Sequence, residues 1–254
     1  MAEVVIVDTE AAAGDLVAGE IEELVTDKPS AVLGLATGST PLSSWRALAS
    51  RKVDLSRVRG FALDEYLGLP ADHPQSYRNV IMREIVEPLS LNPALVRVPG
   101  DRGPLSRAGD IYERAIVDSG GIDFQVLGIG GTGHIGFNEP GSSFASLTRI
   151  KALAEMTRRD NARFFRSPDD VPTHCITQGL GTILRARRLV LLAFGESKAD
   201  ALARAVEGPL TALLPASVIQ LHPSVRVVVD EAAASRLKLT DYYRYSWSHR
   251  ITAP

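Results

Sequence analysis

The sequence predicts an α/β protein: a single domain built on an open, mostly parallel sheet with helices on both faces. Three observations predict it. Short apolar runs alternate with helix-patterned stretches along all 254 residues, the order expected of successive βα units. The apolar runs are continuous rather than alternating, as strands covered on both faces are. Several of them end abruptly in small and polar residues, where open α/β sheets hold their ligands. The length suits one large α/β domain or two small ones, and no long linker, composition shift or repeat divides it, so residues 1–254 read as one domain.

Residues 4–7 (VVIV) read as the first strand. Asp8 and Thr9 can cap the helix that follows, whose apolar residues recur with helical spacing over 11–25. A second strand, 31–36 (AVLGLA), runs into Thr37-Gly38-Ser39-Thr40-Pro41, where Thr40 is the expected N-cap and Pro41 fits the first helical position. The third strand, 58–63, ends at Asp64-Glu65-Tyr66, which is expected to open a loop. Helix is expected over 77–86, a short strand over 96–98 and a helix over 105–117. The central strand, 124–127, runs into the glycine-rich loop that carries His134 and Glu139 before Pro140-Gly141. Residues 142–175 are the least regular and read as a lid or loop excursion, with a helix over 157–165 presenting Arg158, Arg159 and Arg163. A helix over 179–186, a buried strand over 189–194 ending at Gly195-Glu196-Ser197-Lys198, a helix to 206 and a strand over 225–229 complete the pattern. The aromatic tail, 242–247, is expected to pack on the body or on a partner.

Composition narrows the class. Hydrophobic residues at 45% and charged residues at 23% suit a soluble globular protein. Lys+Arg 28 against Asp+Glu 30 leaves a net charge of −2, which gives no support to nucleic-acid or membrane-surface binding. The one cysteine, Cys175, excludes an intrachain disulfide and reads as a small buried residue rather than a nucleophile. The opening residues lack a basic segment followed by an apolar run, and no stretch is long enough to span a bilayer, so a cytoplasmic enzyme is the expectation.

The candidate chemistry sits at strand ends. Thr37, Gly38, Ser39 and Thr40 offer backbone N–H groups and hydroxyls at a helix start, an anion site suited to phosphate; the plain alternative is a capped turn. Lys198 and Arg163 are candidate cations for the same phosphate. Asp64 and Glu65 are adjacent carboxylates whose pKa values separate if one is buried, leaving one as a general base; otherwise Asp64 caps a turn. His134 can exchange a proton near neutral pH, and Glu139 five residues on can hold its ring. The spacing fits no metal site, and His222 reads as structural. Gly128-Ile129-Gly130-Gly131-Thr132-Gly133 matches the dinucleotide fingerprint in letters, but Pro140-Gly141 leaves no room for the helix that the motif requires.

Taken together, LATGSTP, LDEYLGLPADHPQSY, GHIGFNEPGSSFASLTRIK, Asn161-Ala162-Arg163-Phe164-Phe165, Gly195-Glu196-Ser197-Lys198-Ala199, Val206-Glu207-Gly208 and residues 219–223 resemble the glucosamine-6-phosphate deaminase (isomerase) family over nearly the whole length. The resemblance implies a Rossmann-like fold and conversion of D-glucosamine 6-phosphate and water to D-fructose 6-phosphate and ammonia, in N-acetylglucosamine catabolism, with no cofactor. It implies Asp64 as the base that moves hydrogen between C2 and C1, His134 as the ring-opening group with Glu139 beside it, and Thr37, Gly38, Ser39, Thr40, Arg163 and Lys198 as the phosphate and sugar clamp. Ser142, Arg149 and Lys151 match positions that bind the activator N-acetylglucosamine 6-phosphate in hexameric members; alternatively they stabilise the excursion. The implied partner is a small sugar phosphate, with the chain a monomer or homo-oligomer. One position departs: Thr132 stands where many members carry Asp and some Asn, which bears on how His134 is supported and on the amino-sugar epimer, with galactosamine 6-phosphate the alternative substrate. A 6-phosphogluconolactonase would typically lack Phe-Asn-Glu-Pro after the histidine, and a sugar-phosphate sensor without turnover would not need Asp64, His134 and Glu139 intact.

Overall fold

A computed structural model describes residues 2–251. The first half of the chain supplies β1 (Glu3–Val7), α1 (Glu10–Asp27), β2 (Val32–Leu35), α2 (Ser39–Ser50), β3 (Arg59–Ala62), β4 (Asp64–Leu67), α3 (Tyr77–Ile81), β5 (Val96–Arg97), α4 (Ala108–Asp118) and β6 (Phe124–Gly128). The second half supplies β7 (Arg149–Ala152), α5 (Glu155–Asn161), β8 (His174–Thr177), α6 (Leu180–Ile183), β9 (Arg188–Ala193), α7 (Ala199–Val206), β10 (Val225–Asp230), α8 (Glu231–Ala234) and α9 (Thr240–Ser248). Thr9 caps α1, its side chain accepting from Ala12 N at 3.1 Å. A single π-helical turn, Met82–Val86, continues α3.

Seven strands form one parallel sheet in the order β1-β10-β9-β6-β2-β3-β5. All seven strands expected from the sequence are in it. Every residue of β2 is buried, as are the first four of β6 and all but the first of β9. Burial on both faces is what continuous apolar runs specify. The order also locates the functional edge. After β2 the chain steps outward to β3 and β5, then returns to place β6 on the other side of β2 and steps away to β9 and β10. The direction reverses between β2 and β6, and ligands bind in the crevice beyond the carboxyl ends of strands at such a switch point.

The opposite edge is tied by charge. Asp123, just before β6, accepts from Val32 N at 2.8 Å and pairs with Lys28 at 2.8 Å and Arg187 at 2.7 Å. It therefore links the starts of β2, β6 and β9. Its carboxylate is buried, so removing it strands a backbone donor and two cations. Asp123→Ala is expected to cost about 2 kcal/mol, seen as a fall in Tm of about 4–8 °C.

Three strands escaped the sequence reading. Asp64-Glu65-Tyr66 is not the start of a loop: it is β4, paired antiparallel with β8, which pairs antiparallel with β7. The supposed irregular excursion over 142–175 contains β7, α5 and the start of β8, the other strand of this second sheet. The helix expected over 179–186 shortens to α6. In the tail, Tyr243 of α9 is buried on the body and Trp247 packs partly against the core. No helix among the described residues is long and apolar enough to cross a membrane.

Candidate active site

Four strand ends deliver most of the expected residues to one cavity of about 400 Å³, while Thr132 and Glu139 lie beside His134 but outside the lining. Its lining includes Thr37–Thr40 after β2, Asp64 after β3, Gly128–Gly131 and His134 after β6, and Lys198 after β9. Thr157, Asp160, Asn161, Arg163, Phe164 and Phe165 close it from the excursion.

The helix start after β2 is open. The sequence reading put the N-cap at Thr40, but the structure puts it at Gly38, with φ of 99°. That backbone conformation suits glycine. It sets Ser39 and Thr40 in the first turn, and no side chain caps the helix. The free N–H groups at the positive end of the dipole are left for an anion. Across the cavity, Gly195 donates from its N–H to both oxygens of Asp230 at 3.0 and 3.1 Å, pinning the turn that carries Lys198. Burial lowers the Lys198 pKa; Asp160 opposes that effect and Arg163 adds to it. The Arg163 guanidinium lies 4.7 Å over the Phe164 ring. Two cations thus line the same cavity as one helix N-terminus, surroundings that suit an anion.

The two adjacent carboxylates have separate fates. Glu65 accepts from Tyr66 N, Tyr77 N and Arg78 N at 2.7, 2.8 and 2.8 Å, so it ties β4 to the start of α3. Asp64 is buried, and its carboxylate takes no hydrogen bond from the described residues. Desolvation, helped by the charge of Glu65, pushes its pKa up to about 8. An unpaired buried carboxyl at a cavity wall is the environment of a general base tuned toward neutral pH. An aromatic shelf surrounds it: the Tyr66 and Phe137 rings lie 5.5 Å apart and Tyr77 stacks on Phe137 at 5.9 Å.

His134 lies flat against Gly130, where a Cβ would collide with the ring atoms Cε1, Nε2 and Nδ1. Gly130 is a glycine because the imidazole occupies that space. The loop has no helix opening on its glycines, so the fingerprint match is one of letters only. Nδ1 of His134 stands 2.9 Å from Thr132 Oγ1 and 3.7 Å from Glu139 Oε2, and Thr132 Oγ1 donates to that oxygen at 3.5 Å. Thr157 donates to Glu139 Oε1. Burial lowers the His134 pKa; Glu139 and, less strongly, Asp160 raise it, and Lys198 lowers it further.

Ser142, Arg149 and Lys151 fall outside the cavity lining. Arg149 donates to Asn138 Oδ1 at 2.9 Å and to Ser142 Oγ at 3.4 Å, beside the loop that holds Glu139. Cys175 is buried, and its thiol pKa is raised by desolvation. His222 accepts from Ser224 N through Nδ1 at 3.1 Å and bonds Ala186 O through Nε2 at 2.7 Å, a structural role. Among the described residues no cluster of three or more His, Cys, Asp or Glu could hold a metal ion. Sequence reasoning missed Thr157 as the anchor of Glu139, and Asn161, which donates to the Tyr66 hydroxyl at 2.9 Å. Each partner is remote in the chain, and no local spacing signals it.

Fold and site define an α/β protein with an open helix N-terminus, a lysine, a buried carboxyl and an imidazole around one cavity at a topological switch point. The chain belongs to the family described as glucosamine-6-phosphate isomerases/6-phosphogluconolactonase, whose pattern matches residues 7–229. It is 56% identical over 264 residues to a glucosamine-6-phosphate deaminase of Bifidobacterium longum subsp. infantis, covering 98% of each chain. It is 56% identical over 252 residues to one of Pseudarthrobacter chlorophenolicus, covering 98% of this chain and 97% of that one. Among solved structures, a monomeric glucosamine-6-phosphate deaminase superposes with a TM-score of 0.89 at 38% identity, covering 92% of this chain and 99% of that one. The 6-phosphogluconolactonase from Trypanosoma cruzi, with a TM-score of 0.74 at 20% identity, shares the fold.

Proposed function

We propose that the chain is a glucosamine-6-phosphate deaminase, converting D-glucosamine 6-phosphate and water to D-fructose 6-phosphate and ammonia. The observation that carries the reading is the meeting of Asp64, His134, the α2 N-terminus and Lys198 in one cavity. The phosphoryl group docks on the Thr37–Thr40 amides and hydroxyls with Lys198 and Arg163. Its binding energy, remote from the bond changes, holds the reacting carbons in place.

His134 opens the ring: it takes the O1 proton as C1=O forms, the C1–O5 electron pair moves to O5, and the proton follows to O5. Asp64 then removes the C2 proton while O1 takes a proton from the substrate's C2 ammonium, giving an enolamine, and Asp64 returns its proton to C1. The resulting C2 iminium adds water and expels ammonia. Each positioned proton transfer contributes typically about a hundred- to ten-thousand-fold in rate. The segment from α5 to Phe165 acts as a lid in this reading, since it supplies one wall of the cavity and can exclude water.

The test is ammonia release from glucosamine 6-phosphate beside its galactosamine epimer, with and without N-acetylglucosamine 6-phosphate. Release from the glucosamine compound in preference to its epimer is expected. Absence of release, with hydrolysis of 6-phosphogluconolactone instead, overturns the reading. A change in rate with the acetylated sugar phosphate would give Arg149 and Ser142 an activator-binding role; no change leaves them as supports of the Asn138–Glu139 loop.

A further inference from the structure

Thr132 places a hydroxyl in the glycine-rich loop between His134 and Glu139. Glu139 has two oxygens and two hydroxyl donors: Thr157 on Oε1 and Thr132 on Oε2. Placed on the 3.5 Å contact, the single Thr132 hydroxyl proton points at the carboxylate. What Thr132 Oγ1 presents to His134 Nδ1, 2.9 Å away, is then a lone pair. Nδ1 must carry the proton to use it. The direct path from Nδ1 to Glu139 Oε2 is 3.7 Å, so the hydroxyl, 2.9 Å from the ring and 3.5 Å from the carboxylate, is the nearer link between them.

We propose that Thr132 is a positioning residue: it joins His134 to Glu139 as one chain, Nδ1–H to Oγ1 and Oγ1–H to Oε2, and so fixes the tautomer that leaves Nε2 as the base for pyranose opening. This rests on the reading of His134 as the ring-opening group. A neutral relay differs in effect from a carboxylate. A carboxylate in direct contact would favour the imidazolium before substrate arrives, which would leave Nε2 without a lone pair. The hydroxyl transmits the charge of Glu139 only at second hand. Burial then holds the ring neutral, with Glu139 and Asp160 opposing that effect and Lys198 reinforcing it. As Nε2 takes the O1 proton, the imidazolium formed is stabilised through the hydroxyl by a carboxylate already in place. The supporting dipoles are oriented before the charge appears, which is the condition for electrostatic assistance to a developing charge. The flat packing of the ring on Gly130 adds the orientation that the relay alone cannot give.

The proposal is tested in the substrate-free protein by ¹⁵N NMR of labelled histidine, with His134 assigned among the 5 histidines by its loss in His134→Gln. At a pH where the ring is neutral, a pyrrole-like Nδ1 and a pyridine-like Nε2 are expected. Thr132→Val removes the hydroxyl at nearly constant shape. It should release the ring to the Nε2–H tautomer and lower kcat/KM for glucosamine 6-phosphate by about tenfold or more. Thr132→Ser, which keeps the hydroxyl, should retain the parent tautomer and most of the activity, and so controls for a folding defect in the valine variant. An Nε2-protonated ring in the parent protein, or a valine variant with parent tautomer and parent kcat/KM, overturns the proposal. The tautomer is read without substrate, so a failure of the relay is distinguishable from an error in the deaminase reading, which would show as absent ammonia release by the parent.

Discussion

Asp64→Asn is expected to lower kcat for ammonia release by about a hundred- to ten-thousand-fold, because a positioned general base contributes that much, while the protein becomes more heat-stable in alkali. Both outcomes follow from one environment. The Asp64 carboxyl is buried without a hydrogen bond from the described residues, and its pKa rises from the ordinary 3.8 to about 8. The base is competent only when ionised, so kcat/KM of the parent should climb with pH through about 8. For stability the sign is opposite. The folded-state pKa lies above the unfolded one, so between these values the native chain binds more protons than the unfolded chain. The stabilisation is fully present below about pH 4 and is lost as pH rises toward 8. An amide does not ionise and escapes that loss. At pH 9 the asparagine variant should melt several degrees above the parent, with the difference vanishing in acid. Parent-like turnover in the variant would remove Asp64 from the proton-transfer role. A lower Tm at pH 9 would show that its carboxylate is better solvated than its burial indicates.

The same burial explains which parts of the fold were legible in the sequence. Strands buried on both faces must be apolar throughout, and all seven strands of the parallel sheet announced themselves as runs such as VVIV and LVLLAF. The second sheet is different in kind. Its strands read DEYL, RIKA and HCIT, and burial alternates residue by residue along β4. Such short, half-polar segments become strands through pairing rather than composition. Asp64 belongs to one of them, which is why its chemistry was readable but its backbone was not. The N-cap error at Thr40 has a similar origin: threonine is a good cap by side chain, yet the positive φ of Gly38 ends the preceding turn two residues earlier. At the site, groups that reach the cavity from the ends of long strands were found, because a polar residue after an apolar run is conspicuous. Thr157 and Asn161 were not, because each makes its bond to a residue brought near only by folding.

The second large effect is expected at Lys198. Its ammonium is half-buried, and desolvation lowers its pKa while Arg163 repels it. Burial is the largest effect, and Asp160, on the cavity wall, opposes it more strongly than Arg163 adds to it, so the ammonium is chiefly short of solvation, which a dianionic phosphoryl group would supply. Lys198→Ala removes a charge-assisted bond of about 1.5–3 kcal/mol to the phosphate, so kcat/KM for glucosamine 6-phosphate should fall about 10- to 100-fold. The same substitution should leave the very low rate with unphosphorylated glucosamine nearly unchanged, since that sugar never makes the bond. How the loss divides is informative. If the phosphate serves only as a handle, KM alone rises. If its binding energy holds the open chain against Asp64, kcat falls as well, because interactions remote from the reacting carbons then act in the transition state. The proposed reading favours the second outcome: with Lys198 and the α2 N-terminus on the phosphate and Asp64 and His134 on the reacting carbons, a loosened phosphate would shift C2 relative to its base. Equal losses for the phosphorylated and unphosphorylated sugars would show that Lys198 supports the loop after β9 rather than the substrate.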